Sequence, residues 1–558
     1  MTPTKYIKLK NSYTLKQANE LFYKRKNNLE FVIGICVNNN NIVLGIITLG
    51  DLRRALTKGK PNEKINKYLN KNFFYIDYNV PEYDYNNKLN NFLKNKKIDF
   101  NSPVLILKNK KLLKLISISS LKSEIKYKSV CIIGLGHVGL PFSVYLANKG
   151  LHTIGFDKDK KKLNIIKKKN IFVEKDLNEL RKKTLKNKTL ILEKNFQKIN
   201  SQIYIVCVGA ELLKNKISSK NLEDIIINLS NKIQIGDLII IRGTMLVGQT
   251  KEIVRKFEQR TNLKVGRDFY VSYCPERLIE GNALEELKKL PQIVSGATMK
   301  CMEKSINFWN SLSINTIKSE RFEEAEIIKL GSNSYRDLIF SFSNDLCKIS
   351  SKYNLEINDL IDKANIGYER NDFKKPSPGV GGSCLVKDPV MFMHGNKHSA
   401  YRLGKISRKI NENSVEEIYL KIKKIKNKFK LKNFKILIFG ITYKGDPETS
   451  DIRSSTSIDL AKKLDKGLIN YNLYDITLKK FNMYPSHLKN KILTKEHNFK
   501  NYDLIILMNN HNKTEEILIK NLKKTSSPKF IYDCWNMLQK ETVEYLNYKY
   551  ISLSKNYF

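Results

Sequence analysis

Twice along this chain, short runs of nearly unbroken aliphatic residues alternate with helical segments. The first series lies in 128–320, as KSVCIIGLG, HTIGFD, SQIYIVCVG and DLIIIRG. The second lies in 433–558, as FKILIFGIT, INYNLYD, YDLIILM and FIYDCW. A strand that is apolar on both faces must be covered on both faces, as in a parallel sheet flanked by helices. The two series therefore predict an α/β chain with two Rossmann-like, doubly wound parallel sheets. Between them, 321–425 is mainly helical, with one long amphipathic pattern from about Glu323 to Ser351. The Gly/Pro-rich loop KKPSPGVGGSC and further helix follow it. The basic stretch KIKKIKNKFKLK at 421–432 is expected to be a solvated helix end or linker. The expected segments are 1–125, 128–320 (cofactor unit), 321–425 (central helical unit) and 433–558 (second Rossmann-like unit).

Residues 1–125 carry a different pattern. LKQANELFYKRK reads as a helix, and FVIGICV and NIVLGIIT read as strands of a hairpin about an Asn-rich turn. In the following GDLRRAL, Asp51 is placed to cap a helix beginning at Leu52. A weaker β–β–helix stretch, SPVLILKNKKLLKLISISSLKSEI, comes later. The segment resembles a pair of cystathionine-β-synthase-type (CBS) domains, on the strength of GIITLGDLRRAL at 45–56. That resemblance implies an α+β regulatory domain with an adenine nucleotide as ligand. A packing or oligomerisation appendage is the alternative.

The 558 residues include 100 Lys and Arg against 55 Asp and Glu, a net charge of +45. The excess is spread through all four segments and is mostly Lys, which reads as solvated surface and not as a nucleic-acid stripe. Eight cysteines (36, 131, 207, 274, 301, 347, 384, 534) contain no CxxC pair, so neither a disulfide framework nor a zinc site is expected, and no metal is assigned. A reducing cytoplasm is the simplest compartment. The N-terminal MTPTKYIKLK leads into no apolar h-region, and no run approaches the roughly 18 apolar residues of a membrane span. No membrane partner is expected.

Gly134-Leu135-Gly136-His137-Val138-Gly139 follows one predicted strand and opens a predicted helix. Gly134 permits the tight turn, Gly136 admits a pyrophosphate to the backbone, and Gly139 lets helix and strand pack closely. The phosphates then sit on a helix N-terminus, where free N–H groups favour an anion. Asp157 ends the next strand, where a carboxylate accepts ribose hydroxyls and repels a 2′-phosphate. The cofactor is therefore expected to be NAD.

Cys384 stands in Gly379-Val380-Gly381-Gly382-Ser383-Cys384-Leu385-Val386-Lys387-Asp388-Pro389. The glycines let backbone approach a substrate, and a helix opening at Leu385 would put the thiol at a positive helix end, favouring the nucleophilic thiolate. Asp388 lies one turn further along the same face. Glu326, Lys329 and Asn333, at i, i+3 and i+7, share one face of the long helix.

Six motifs then stand in the order of one family: GLGHVGLP, YCPERLIEGNALEEL, LPQIVSG, EAEIIKLGSNSYRD, PGVGGSCLVKDP and ITYKGDPETSDIRSS. Over about 128–540 the chain resembles the UDP-glucose/UDP-mannuronate (nucleotide-sugar 6-) dehydrogenases. The resemblance implies a homodimer or larger homo-oligomer, a UDP-sugar substrate and a role in polysaccharide or glycan synthesis. It implies two NAD-dependent oxidations of a sugar C6 alcohol to the carboxylate through a Cys384 thioester. Lys329 and Asn333 would stabilise the alkoxide or oxyanion, Glu276 would serve as acid/base for hydrolysis, and Thr244 and Asp388 would hold the water. Arg370, acting across the dimer interface, Arg453 and Lys444 would contact the sugar nucleotide, with Gly381 and Gly382 against it.

Two stretches depart from the family. Gly209-Ala210-Glu211 stands where it usually has Pro-Thr-Pro, and Arg242-Gly243-Thr244 where it has Glu-Ser-Thr. GGSC matches the UDP-glucose branch, whereas PERL, LPQIV and PGVGG match the UDP-N-acetylhexosamine branch. UDP-N-acetylhexosamine is the expected substrate and UDP-glucose the alternative. A single-oxidation β-hydroxyacid dehydrogenase would need neither the second Rossmann unit nor the GGSC loop. A basic binding protein on an inactive dehydrogenase fold would need none of Glu276, Lys329, Asn333 and Cys384.

Overall fold

The computed structural model describes residues 6–25, 32–78, 103–117, 129–213, 216–394, 402–431, 433–481, 486–494, 499–522 and 529–555. They divide into two compact units, one built on residues 1–126 with 290–292 and 306–317, the other on the rest.

The first unit contains the same strand arrangement twice. Strand β1 (Ile7–Lys10), helix α1 (Leu15–Arg25), strands β2 (Ile33–Val37) and β3 (Val43–Thr48) and helix α2 (Leu49–Lys58) form the first copy. Strands β4 (Tyr75–Asp77), β5 (Pro103–Lys108) and β6 (Lys111–Ser117) form the second sheet. In each sheet the first strand runs parallel to the second, and the second runs antiparallel to the third. Each hairpin shifts register once, at Cys36/Val37 and at Ile106/Leu107. Ile33, Ile35 and Val37 share one core with Leu105, Leu107 and Leu115. The expected hairpin about the Asn-rich turn is present. The helix cap is not the expected one: α2 begins at Leu49 with Thr48 as its N-cap. Asp51 is instead the third helical residue and closes a capping box, its carboxylate accepting the Thr48 amide at 3.0 Å. The helical end of the second copy, 118–125, lies outside the described residues.

Eight further strands form one sheet. They are β7 (Val130–Ile133), β8 (Thr153–Phe156), β9 (Leu190–Glu193), β10 (Ile203–Val206), β13 (Leu238–Ile241), β14 (Tyr270–Tyr273), β15 (Gln292–Gly296) and β16 (Thr316–Lys318). A small hairpin, β11 (Glu211–Leu213) with β12 (Lys216–Ser218), stands apart from it. The sheet order is β16-β15-β14-β13-β10-β7-β8-β9. Strands from β14 to β9 are parallel, and β15 pairs antiparallel with β14. Strands β7, β10 and β13 are buried along their whole length, which is why they are written as mainly aliphatic runs, and β14, YVSY, is buried as well. The chain leaves β7 toward β8 on one side, while β10 starts the other side. The crevice between their C-terminal ends is the topological switch point where such sheets bind ligands.

Helix α3 (Gly139–Asn148) follows β7, and α4 (Gln249–Arg260) follows β13. Helix α5 (Phe322–Lys352) then runs for 31 residues, about 46 Å. Against it pack α6 (Ser383–His394) and α7 (Leu403–Lys428). Inside this layer Arg408 pairs with Asp337 at 2.8 Å, and Asn411 bridges Asp337 and Asn344. The last sheet is wholly parallel, in the order β18 (Asn470–Tyr474), β17 (Lys435–Phe439), β19 (Leu504–Leu507), β20 (Lys529–Asp533), β21 (Tyr548–Ser552), with α8 (Thr456–Lys466) between β17 and β18.

The basic stretch at 421–428 is a helix end, as expected, but is solvated on one side only. It forms the last two turns of α7, with Ile422 and Ile425 in the core. Lys421 is half-buried and donates to the Ser552 and Lys555 carbonyls at 2.9 and 3.0 Å.

Candidate functional site

The dinucleotide loop meets the steric demands read from its glycines. Gly134 has φ +93°, in the left-handed region. A Cβ on Gly139 would stand 1.9 Å from the Gly134 carbonyl oxygen, whereas one on Gly136 would meet nothing within 4 Å. The space at Gly136 lies open in front of the α3 N-terminus. No side chain caps α3 at Val138, and the Leu140 amide is taken by the Gly136 carbonyl at 3.1 Å. Asp157 also braces the loop. Its carboxylate accepts the Leu135 amide at 3.0 Å and pairs with Lys162 at 2.7 Å.

His137 reaches beyond this loop. Its Nδ1 lies 3.1 Å from a Glu280 carboxylate oxygen. The Glu280 carbonyl accepts the Lys444 ammonium at 3.0 Å. Asp451 completes a trio, its carboxylate lying with those two side chains within 4.8 Å. Arg453 already grips Asp451 through contacts of 2.7–3.0 Å. Burial raises the Asp451 carboxyl, but Arg453 and then His137 outweigh it and hold the group below its usual range. Lys444 is shifted down by burial.

The catalytic candidates converge on Asp388. Helix α6 begins at Ser383, two residues earlier than expected, so Cys384 sits in its first turn with its side chain exposed. One turn on, Asp388 is fully buried. Its carboxylate accepts Asn333 Nδ2 at 2.5 Å, pairs with Lys387 at 2.6 Å and faces Lys329 at 4.0 Å. Arg336 donates to the other end of the Asn333 amide at 2.6 Å, which fixes that amide's orientation. Helices α5 and α6 thus present two lysines, an amide and a carboxylate beside a thiol. On the other side, a Cβ on Gly381 would stand 2.7 Å from the Ser454 carbonyl oxygen, and one on Gly382 2.8 Å from the Tyr443 ring. Cys384 lies within electrostatic reach of Tyr443 and Arg453, so the second Rossmann unit faces the thiol.

Glu326 does not join this cluster, although it shares the helix face. Its carboxylate accepts the Gly248 and Thr250 amides at 2.6 and 2.8 Å and the Thr250 hydroxyl at 2.6 Å, capping α4. Burial pushes it up to about 7 in spite of those three donors.

Glu276 lies past the end of β14, paired with Arg242 past the end of β13. Thr244 is fixed through its backbone, its carbonyl accepting the Ala210 amide at 2.9 Å. The two departures meet here. A Cβ on Gly243 would stand 2.4 Å from the Val208 carbonyl oxygen, and one on Gly209 2.4 Å from that of Thr244. Arg370 is exposed, its guanidinium 4.6 Å over the Tyr368 ring. Among the described contacts of this one chain, none joins it to the Asp388 cluster. Sequence reasoning missed Arg242, Arg336, Lys387, Glu280 and Asp451 as partners. The spacing of Arg336, three residues after Asn333, could have flagged it. The Arg242–Glu276 pairing joins two loops far apart in sequence and had no local signal.

Comparison with known proteins identifies the family. Three segments match the UDP-glucose/GDP-mannose dehydrogenase family: its NAD binding domain over 128–312, its central domain over 323–414 and its UDP binding domain over 437–540. A UDP-N-acetyl-D-mannosamine dehydrogenase of Methanocaldococcus jannaschii is 29% identical over 430 residues, covering 76% of this chain and 95% of the relative. One of Campylobacter jejuni is 30% identical over 360 residues, covering 61% and 84%. A solved UDP-D-ManNAc dehydrogenase of Pyrococcus horikoshii superposes with a TM-score of 0.68 at 23% identity, covering 76% of this chain and 99% of that one.

Proposed function

Since the chain belongs to the UDP-glucose/GDP-mannose dehydrogenase family and is an NAD-dependent oxidoreductase, we propose that it oxidises the C6 alcohol of UDP-N-acetylmannosamine to the uronate. The observation that carries this reading is the convergence of Lys329 and Asn333 on Asp388, one helical turn beyond Cys384. The Gly134–Gly139 loop would hold NAD, which would supply the hydride acceptor for two oxidations. In the first, Lys329 and Asn333 stabilise the alkoxide that becomes the aldehyde. The Cys384 thiolate then adds to the aldehyde carbon, and the resulting thiohemiacetal is oxidised to a thioester. Water, held by Asp388 and Thr244, attacks the acyl carbon. The C–S bond breaks, the thiol is restored and the uronate leaves. Arg453 and Lys444 hold the sugar nucleotide from the second Rossmann unit.

The substrate assignment rests on the relatives' names and on the PERL, LPQIV and PGVGG sequences. The test is NADH release by the purified chain across a panel of UDP sugars. UDP-N-acetylmannosamine should yield two NADH per molecule, and Cys384→Ala should abolish net acid formation. Preference for UDP-glucose would overturn the substrate, and uronate formed by Cys384→Ala at the parental rate would overturn the thioester. One NADH per turnover would favour a single oxidation.

The same reading includes a homodimer. Ile327, Tyr335, Phe342 and Ile349 recur every seven or eight residues along α5 and are exposed, a stripe suited to a second copy of this helix. Arg370 would then reach the partner's site. Eight free cysteines suit a reducing cytoplasm, and among the described residues no helix is long and apolar enough to cross a membrane. The repeated parallel-then-antiparallel sheets of the first unit support the CBS-like reading, with an adenine nucleotide as regulator. Deleting 1–125 and assaying with and without ATP or AMP tests it, and no change in either comparison would refute it.

A further inference from the structure

Strands β13 and β14 lie side by side, with Ile241 registered against Tyr273. The residues just past their ends bring two opposite charges together out of water. Arg242 is 1% exposed and Glu276 7%. The guanidinium Nη2 of Arg242 contacts Glu276 Oε2. The other carboxylate oxygen, Oε1, accepts the Arg277 and Leu278 amides at 2.7 Å each. One oxygen is thus held by two backbone amides, and the other faces the guanidinium as an ion pair. The guanidinium also lies 4.7 Å over the ring of Phe142, in the first turn of the dinucleotide helix. A buried arginine is retained only with strong partners, and here the partners are an aromatic face and the acid/base candidate.

We propose that Arg242 is a positioning residue, which holds the Glu276 carboxylate in the orientation needed to take a proton from the water that cleaves the Cys384 thioester. The proposal rests on the thioester reading above. In that step the water oxygen bonds the acyl carbon while a water proton passes to Glu276. The C–S bond then breaks with its electron pair on sulfur, which receives that proton from Glu276. Nothing is oxidised or reduced. The arginine does not touch the reacting atoms. Its effect is to restrict a carboxylate whose hydrogen bonds, among the described residues, come from the Arg277 and Leu278 amides. The fork of a guanidinium fixes a carboxylate better than a lysine does, which sets the expected ranking of substitutions.

The test is a mutant cycle on the full chain with NAD and the UDP sugar. Arg242→Met should lower kcat about 10²-fold, with KM for NAD and for the sugar nucleotide within about twofold, because a misplaced base loses its contribution to the hydrolytic step alone. The acyl-enzyme on Cys384 should accumulate and be trapped by hydroxylamine. Arg242→Lys should recover part of the loss. In a Glu276→Gln background, Arg242→Met should cost less than about twofold, since the partner it orients is already gone. Multiplicative losses in the two backgrounds, or a raised KM for NAD at unchanged kcat, would overturn the proposal and leave Arg242 as a support for Phe142. If Arg242→Met does not fold, Glu276→Gln is compared with the double variant, which removes both charges. Equal kcat supports the proposal, and a lower kcat in the double variant refutes it. An active wild type with multiplicative losses refutes Arg242 alone, whereas a wild type that forms no thioester removes the catalytic reading as well.

Discussion

Glu326 makes the stability of the second unit depend on pH in a direction opposite to most carboxylates. It is 0% exposed, and its ordinary value of 4.5 is pushed up to about 7 by burial, against the pull of the Thr250 and Gly248 donors. A carboxyl whose folded value is raised binds its proton more tightly in the folded state. Its contribution is therefore fully present below the unfolded value and is lost as pH rises through about 7. Linkage between those two values gives a loss on the order of 2–3 kcal/mol from pH 5 to pH 8. Glu326→Gln keeps the shape and removes the titration. Urea midpoints of the two proteins, followed by circular dichroism at pH 5, 6, 7 and 8, isolate the term as a difference. The wild type should lose stability relative to the variant as pH rises, mainly between pH 5 and 7. A difference that stays flat across the range, or grows in favour of the wild type, would refute the reasoning.

Further outcomes follow from other contacts. Gly139→Ala would drive a methyl into the Gly134 carbonyl, so NAD binding should fall at least tenfold by titration while binding of UDP is kept. Lys421→Met removes the donors to the Ser552 and Lys555 carbonyls and should destabilise by about 1–3 kcal/mol in thermal unfolding. Burial lowers Lys421 to about 8, so wild-type stability should rise relative to that variant from pH 8 toward pH 10, the sign expected when the folded state binds the proton less tightly. Arg336→Met frees the Asn333 amide and should lower kcat about tenfold with little change in the binding of NAD.

The central strands were legible because burial on both faces leaves one composition, the aliphatic run. The edge strand β21, YKYIS, is broken by a lysine and was missed, as was β4, whose three residues carry no period. Thr48 and Asp51 are both good capping residues, and only the backbone decides which is the N-cap. Lys421 was read as solvated because a charge run carries no sign of the carbonyls, more than 130 residues away, that its ammonium meets. In the site, helical spacing identified Lys329 and Asn333. It also put Glu326 on their face, where it lies, but residues on one face still differ in height. Seven residues are about 10 Å along the axis, which takes Asn333 to α6 and Glu326 to α4. The placement of Asp388 one turn after Cys384 could be read. The loop-to-loop pairs His137–Glu280 and Arg242–Glu276 are products of tertiary packing and have no sequence period.

The mutual approach of Gly209 and Gly243 has a consequence for how this chain can change. At either position a side chain would meet facing backbone, that of Thr244 for Gly209 and that of Val208 for Gly243. A side chain grafted into one loop therefore requires the backbone of the other to move, so the two loops can change only together.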